Sequence, residues 1–141
     1  MQTVQSFIHT HQREVYSVTP AQTVWDALQL MAERNIGAVL VIDGGTMVGI
    51  FSERDYARRV ELKGLKTKST RISDVMTSEF ITITPNTKMD DCMQIMTEHR
   101  VRHLPVLDEH QKILGLVSIG DVVSDMISAQ RELINQLKQY I

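Results

Sequence analysis

The sequence predicts a mixed α/β fold made of two tandem repeats, and three observations support this prediction. First, one constant offset places a Thr-Pro pair that begins at Thr19 on another that begins at Thr84. Second, the pattern Gly-x-x-Ser-x-x-Asp begins at Gly49 and again at Gly115, each time before a helix-like stretch. Third, apolar residues at helical spacing recur at the same offset. Such self-similarity at a fixed period is typical of repeated structural units.

The elements of each repeat follow from its local sequence. A short strand is expected to end at Thr-Pro, because proline lacks the N–H group that a strand ladder needs. A helix of about 13 residues follows, and then a continuously apolar strand, AVLVI or HLPVL. A short turn, DGG or DEHQ, joins that strand to MVGIF or ILGLV, so these two strands form a hairpin. A helix opened by Ser and Asp completes the order β-α-β-β-α.

The repeats are expected to form one fold with short additions at both ends. A unit of about 50 residues buries little apolar surface alone, so the repeats should pack face to face with pseudo-two-fold symmetry. The basic segment VELKGLKTKSTRISDVMT has few large apolar residues and is expected to be a surface loop. TVQSFIH is expected to be a short helix, and one helix is expected from Asp121 to Ile141. The predicted segments are an N-terminal helical segment (1–14), the first repeat (15–62), a linker (63–78), the second repeat (79–127) and a C-terminal helix tail (128–141).

Composition and charge exclude several classes of protein. Of the 141 residues, 43% are hydrophobic and 23% are charged, which is usual for a globular protein. The net charge of -2 provides no overall basic field for nucleic acid. The single cysteine, Cys92, excludes an internal disulfide, and no apolar run approaches the ~18 residues of a membrane helix. The first residues lack a basic region followed by an apolar run, so we expect a cytoplasmic protein without a signal peptide.

The repeated motif supports two interpretations, which are compatible. Ser52 and Ser118 could be N-cap residues, with Asp55 and Asp121 closing a capping box, and the motif glycines could mark β-bulges. Alternatively, the unpaired N–H groups and positive dipole of a helix N-terminus suit a phosphate. The serine hydroxyl can then donate to a phosphate oxygen, and the carboxylate can accept from ribose hydroxyls.

From about Val15 to Met126 the chain resembles a tandem CBS-domain pair, also called a Bateman module. The resemblance rests on the two motifs, on DVMT before the second repeat and on the strand RHLPV. FSERDYARRV and QLKQYI are similar to a subgroup of small stand-alone bacterial proteins with no attached enzyme. The resemblance implies an adenosine-containing ligand in clefts between the paired repeats: AMP or NAD, with ADP, ATP and S-adenosylmethionine as further possibilities.

The resemblance also implies roles for individual residues. Asp55 and Asp121 would hold the ribose, and Ser52 and Ser118 would lie near the phosphate. Capping alone would equally account for all four residues.

Basic residues occur at different positions in the two repeats. Arg54 lies inside the first motif, where the second repeat has Gly120. Arg102 and His103 begin the second buried strand, where the first repeat has a Gly-Ala pair. In the family such positions approach phosphates, although a solvated arginine or a packed strand histidine would also explain them. The strand residues expected to edge or sandwich an adenine, with the Gly-Ala pair and a strand proline, complete the predicted set: Ser17, Val18, Gly37, Ala38, Ile81, Thr82, Ile83 and Pro105.

Other signals are weaker. His9 lies near His11 and His99 near His103, but no further cluster completes a metal site, so we expect none. The chain has neither a P-loop nor a Rossmann glycine pattern. Cys92 lies on an apolar helical stripe and is interpreted as a core residue.

The basic segment from Arg54 to Arg71 leaves three interpretations open. It could be a solvated face, a rim that attracts phosphate, or a contact for nucleic acid. Nucleic-acid binding would need stacking aromatic residues, and only Phe51 and Tyr56 lie nearby in the sequence.

The sequence as a whole predicts an adenine-nucleotide sensor that signals by ligand-dependent rearrangement, and not an enzyme. The alternatives are a ligand-free dimerisation scaffold and, less favoured, nucleic-acid binding through the basic segment. We also expect a homodimer, an unidentified protein partner that responds to the ligand, and no membrane contact. The apolar residues expected to be exposed and to support the dimer are Val60, Leu62, Val123, Ile127, Leu133, Leu137, Tyr140 and Ile141.

Overall fold

The computed structural model describes residues 2–11 and 13–140 and confirms the mixed α/β fold. The chain divides into two units. Unit A, as we name it, is Val15–Phe80 and contains the first repeat. Unit B combines Met1–Glu14 with Ile81–Ile141 and contains the second repeat. The N-terminal segment is thus part of the unit formed by the repeat farther from it in sequence.

Unit A is built on a three-stranded sheet with the strand order β1-β2-β3. β1 (Ser17–Val18) is parallel to β2 (Ala38–Asp43), and β2 is antiparallel to β3 (Thr46–Ser52). Between β1 and β2 the chain forms α2 (Val24–Arg34), an 11-residue helix. The core buries apolar side chains from all these elements: Val18, Val24, Ala27, Met31, Val39, Val41, Phe51, Val60, Ile72 and Val75.

The hairpin of unit A has the short turn that the sequence predicts. Gly44 and Gly45 have φ values of +58° and +82°. Two successive positive φ values match a type I′ turn, whose twist suits a two-residue hairpin connection.

A β-bulge lies at the motif glycine in each hairpin. Val41 pairs with Gly49, but Ile42 pairs with Met47, so Val48 is the extra residue of β3. The second repeat shows the same register shift directly beside its own motif glycine. The β-bulge interpretation of the two glycines is therefore confirmed.

The segment after the first motif differs from the expected surface loop. A short helix α3 (Glu53–Asp55) continues as a π-helical segment (Tyr56–Glu61), and α4 (Ile72–Val75) follows. Ile72 is fully buried and Val75 is 3% exposed, so the predicted linker supplies part of the core. The prediction of a simple surface loop was wrong because two well-placed apolar residues suffice to anchor a polar segment.

Unit B has the same hairpin and motif helix as unit A. After α1 (Val4–His11) it contains α5 (Met89–His99), the antiparallel pair β4 (His103–Leu107) and β5 (Ile113–Ser118), and α6 (Ile119–Lys138). In place of a first strand it has one parallel bridge that joins Ile83 to Val106. The predicted short N-terminal helix and the long C-terminal helix are confirmed as α1 and α6.

The N-terminal helix contributes directly to the core of unit B. Val4 is fully buried and Phe7 is 3% exposed. They lie in one cluster with residues of the second repeat, among them Met89, Leu104 and Val122. Ile8 of the same helix packs against this cluster. α1 is therefore structural and not an appended arm.

The exposed apolar residues agree with the sequence prediction except at one position. Val60 is fully buried, because it lies in the π-helical segment, where the wider turn changes which side chains face the core. Ile141 lies outside the described residues. The remaining predicted residues are exposed to the extents 79% (Leu62), 42% (Val123), 45% (Ile127), 56% (Leu133), 58% (Leu137) and 89% (Tyr140).

Candidate functional site

Both repeated motifs form capping boxes at the start of a helix. The Ser52 hydroxyl accepts the Asp55 N–H at 3.2 Å, and the Asp55 carboxylate accepts the Ser52 N–H at 3.0 Å. The equivalent distances for Ser118 and Asp121 are 3.2 Å and 2.8 Å. The capping interpretation is confirmed, and it places each carboxylate within the first helical turn.

The start of each buried strand lies directly beside its motif. In unit A, Ala38 pairs with Ser52, and the carbonyl of Gly37 accepts the Glu53 N–H at 3.0 Å. The exposed Arg54 follows in the same turn. The structure thus brings Gly37, Ala38, Ser52, Arg54 and Asp55 together around the start of α3.

The same arrangement recurs in unit B with different side chains. His103 pairs with Ser118, and the carbonyl of Arg102 accepts the Ile119 N–H at 2.9 Å. Arg102 is exposed, His103 is half-buried, and Gly120 is exposed at the second position of α6. A Cβ atom added to Gly120 would meet only the Ser118 hydroxyl, at 3.7 Å, so this glycine leaves open space beside the motif.

In unit A a neutral side chain contacts the motif carboxylate. The Thr77 hydroxyl donates to Asp55 at 3.0 Å. The Arg59 Nε atom lies farther away, at 3.9 Å from the carboxylate, and its Nη1 atom donates to the Met76 carbonyl at 2.8 Å. Asp55 is 13% exposed. Thr77 belongs to the DVMT stretch, which the sequence analysis had used only as a marker of resemblance.

In unit B an arginine contacts the motif carboxylate. Arg13 forms an ion pair with Asp121, whose side chain is only 4% exposed, while that of Arg13 is 51% exposed. The Arg13 guanidinium also lies over the Phe7 ring, 5.6 Å from its centroid. Sequence reasoning missed Arg13, because 108 positions separate it from Asp121 and it lies in no motif.

The residues expected near an adenine are distributed differently from the prediction. Val18 and Ile83 are 3% and 5% exposed and belong to the two cores. Most of each side chain is therefore packed in a core, while Ile81 is half-buried, and contact of these three residues with an adenine stays a prediction. The strand alternation explains this outcome, because every second side chain of a strand faces the core.

The polar positions of those strands are more accessible. Ser17 and Thr82 are exposed, whereas Pro105 is buried and its carbonyl accepts the Ile83 N–H at 2.9 Å. Thr82 lines a groove of about 540 Å³ that extends along Asn86 and the β4–β5 turn. The residues that line this groove include neither the serine nor the aspartate of the second motif.

The buried thiol is unsuited to nucleophilic chemistry. Burial raises the pKa of Cys92 to about 11, and the charges of Asp91 and Asp90 act in the same direction. The thiol is therefore neutral at physiological pH, and its side chain is fully buried in the core of unit B. The core interpretation of Cys92 is confirmed.

Residues 2–11 and 13–140 show neither a metal-binding cluster nor a membrane-spanning helix. That part of the chain contains no group of three or more His, Cys, Asp or Glu residues placed to hold a metal ion. His99 ends α5 and His103 begins β4, so they lie on separate elements. Within the same residues, no helix combines the length and apolar character needed to cross a bilayer.

The aromatic residues around the basic segment include one that the sequence analysis did not name. Phe51 is fully buried, and the Tyr56 hydroxyl donates to Glu61 at 2.9 Å. Trp25 is 40% exposed, and the Lys68 ammonium lies 4.7 Å from its ring centroid. Nucleic-acid binding through this segment stays a prediction.

Comparison with known proteins identifies close relatives of both repeats. The sequence profile of the CBS domain matches residues 7–62 and 72–128. The mitochondrial CBS domain-containing protein CBSX3 of Arabidopsis thaliana is 42% identical over 87% of this chain, which spans 62% of that protein. The CBS domain-containing protein YhcV of Bacillus subtilis is 34% identical over 82% of this chain and 81% of its own length.

Solved structures show the same fold. A CBS-domain protein from Burkholderia ambifaria superposes with a TM-score of 0.86 at 46% identity, over 92% of this chain and 96% of that one. The crystal structure of CBSX2 in complex with AMP superposes with a TM-score of 0.74 at 29% identity, over 92% of this chain and 99% of that one.

Proposed function

This chain belongs to the CBS-domain family, with two CBS domains in tandem, and we propose that it is a regulatory module that binds an adenosine-containing ligand. One observation carries the proposal. In both units a carboxylate in the first turn of a helix lies beside the start of a buried strand, so that groups suited to ribose and phosphate are adjacent. The AMP bound by CBSX2 supports this ligand class.

The proposed contacts follow the chemistry of each unit. Asp55 and Asp121 accept the ribose hydroxyls, because an ionised carboxylate offers about four lone-pair positions and the capping bonds use only part of them. Arg54 approaches the phosphate in unit A, and Arg102 and His103 do so in unit B. AMP or NAD is the proposed ligand, with ADP, ATP and S-adenosylmethionine as the other members of the class.

The proposed mechanism is regulatory and not catalytic. A ligand that binds one arrangement of the module more tightly shifts the population toward it, and a protein partner responds to that shift. We propose no catalytic cofactor. The buried, neutral Cys92 fits a reducing compartment, which supports the cytoplasmic location that we propose.

The first prediction tests ligand binding. AMP at about 100 times its dissociation constant should raise the free energy of unfolding by about 2.7 kcal/mol, because the ligand binds only the folded state. Thermal unfolding monitored by circular dichroism, with NAD and S-adenosylmethionine in parallel, measures the effect. The D55N variant should lose the stabilisation that binding in unit A contributes. D43N, at an exposed position at the end of β2, is the matched control and should keep it.

An absence of ligand stabilisation would contradict the sensor function. If none of these ligands raises the unfolding temperature, and mass spectrometry finds no small molecule released from the purified protein, the ligand-free scaffold becomes the better interpretation. A shift that D55N leaves unchanged would remove Asp55 from the site without removing the function.

The second prediction concerns self-association, which we propose because of the surface of α6. In the described part of unit B, every exposed large apolar residue lies on α6 or directly after it. Three of them, Ile119, Val123 and Ile127, line a groove of about 510 Å³. Exposed apolar area of this kind is usually covered by a partner, and a two-fold homodimer is the commonest arrangement.

Sedimentation at micromolar concentration should therefore give twice the 16.1 kDa mass of the chain. V123D should shift the equilibrium toward the monomer, because a buried unpaired charge is costly. Q130D, on the same helix at an exposed polar position, should not. A wild-type species near 16.1 kDa would contradict the dimer. Removal of the residues after Gln130 then measures how much the C-terminal end of α6 contributes to dimerisation.

A further inference from the structure

We propose that Arg13 recognises the ligand's phosphate in unit B together with Arg102 and His103, with its guanidinium held in position by Asp121 and Phe7. The inference rests on the proposed function and deepens it, since it assigns a binding role to a residue outside both repeated motifs. It also explains why a residue that follows the N-terminal helix reaches the motif of the second repeat.

The guanidinium is fixed by two contacts and still has donors to offer. Asp121 pairs with the Nη1 atom, and the Phe7 ring lies under the guanidinium carbon at 5.6 Å. Arginine has five N–H donors in a rigid plane that matches phosphate geometry. Because 51% of the side chain remains exposed, a ligand can reach donors that Asp121 does not use. A guanidinium held in this way loses little entropy when it binds.

The charges around Arg13 favour an anion at this position. Arg13 balances the charge of Asp121, the one carboxylate of the second motif. Asp121 occupies the third position of α6, a 20-residue helix, so the guanidinium lies at its positive end. Arg102 precedes β4, and its carbonyl accepts the N–H of the first residue of α6. The positive end of α6 and the Arg13 guanidinium therefore both lie beside the Asp121 carboxylate.

Unit A differs at this position. There the carboxylate of Asp55 meets the neutral hydroxyl of Thr77, and the nearest arginine nitrogen is 3.9 Å away. Arg59 is the cationic counterpart of Arg13 in unit A, but its ion pair with Asp55 is longer and its Nη1 atom is bonded to the Met76 carbonyl. We therefore expect the two units to differ in how strongly they prefer a phosphorylated ligand over its nucleoside.

The test compares AMP with adenosine, which lacks the phosphate, by calorimetric titration of the full chain. R13Q should weaken AMP binding in unit B about tenfold to a hundredfold, as expected for the loss of hydrogen bonds to a charged group. The same variant should leave adenosine binding unchanged. R13K, which keeps the charge but not the planar fork, should give an intermediate loss. R34Q, at an exposed arginine that ends α2 in unit A, is the control and should behave as wild type.

Other outcomes would overturn the inference in distinguishable ways. If R13Q binds AMP as tightly as wild type, Arg13 is only structural. If R13Q binds both AMP and adenosine more tightly, Arg13 competes with the ligand for Asp121. If R13Q weakens binding of AMP and adenosine equally, the substitution acts through the fold and not through the phosphate. A lower unfolding temperature of R13Q, and of R13K, than of wild type would then accompany the loss of binding. If wild type binds neither AMP nor adenosine, this inference falls, and the thermal unfolding measurements with NAD and S-adenosylmethionine decide whether the proposed function falls with it.

Discussion

Replacement of Phe7 by alanine is expected to lower the free energy of unfolding of unit B by about 3–5 kcal/mol, the usual cost of truncating a buried phenylalanine. The ring is 3% exposed and lies in the core of the second repeat. Deleting it leaves a cavity and removes the surface under the Arg13 guanidinium. Urea unfolding followed by circular dichroism measures the loss.

The control for this prediction is an aromatic residue of the same unit that makes no core contact. Tyr140 is 89% exposed, so Y140A should change stability by less than about 0.5 kcal/mol. The fluorescence of Trp25, the one tryptophan in the chain, reports on unit A separately. An F7A variant as stable as Y140A would show that α1 does not belong to the core of unit B.

The repeat pattern was predictable from sequence because its causes are local. The hairpins and the capping boxes depend on residues within a few positions of one another. Ser52 and Asp55, for example, are bonded across one helical turn. Periodicity and turn chemistry encode such features directly.

The contacts made by the segments before each repeat were not predictable. Arg13 contacts Asp121 and Thr77 contacts Asp55, and in each case the contact depends on how the chain folds back. The burial of Ile72 escaped prediction for the same reason, since an isolated apolar residue in a polar segment has no periodic signal. Tertiary packing and not local preference decides these positions.

The buried strand residues show a second limit of prediction from the sequence. Val18 and Ile83 were assigned to a binding surface because of their place in the motif order, yet both point into a core. Two-residue periodicity decides which side chain of a strand is buried, and strands as short as β1 (two residues) are too brief to display that period.

The glycine at the start of each motif gives the last prediction, because its two copies are crowded by different kinds of atom. A Cβ atom added to Gly49 would lie 2.6 Å from the Met76 Sδ atom and 3.0 Å from the Thr77 carbonyl oxygen. Thr77 exchanges two backbone hydrogen bonds with Ile50, of 3.0 Å and 2.9 Å. G49A must therefore displace the backbone that also places the Thr77 hydroxyl on Asp55. We expect a loss of up to about 3 kcal/mol, at the upper end for an overpacked site, with weaker ligand binding in unit A.

In G115A the added Cβ atom would meet only the Ile8 side chain, with its Cδ1 atom at 2.7 Å. Because that atom is the far end of a flexible chain, we expect a loss of about 1 kcal/mol or less, since alanine also reduces the entropy of the unfolded state. Urea unfolding of both variants measures whether G49A loses more stability than G115A.

Second-site variants distinguish crowding by a side chain from crowding by the backbone at these two glycines. I8V removes the clashing Cδ1 atom and should restore G115A, whereas M76A removes Sδ but leaves the Thr77 carbonyl, so it should restore G49A only in part. Full rescue of G49A by M76A would show that side-chain crowding alone requires this glycine. Partial rescue would mean that the first repeat needs glycine at position 49 because the Thr77 backbone lies too close for a side chain there. The same backbone holds the Thr77 hydroxyl against the Asp55 carboxylate.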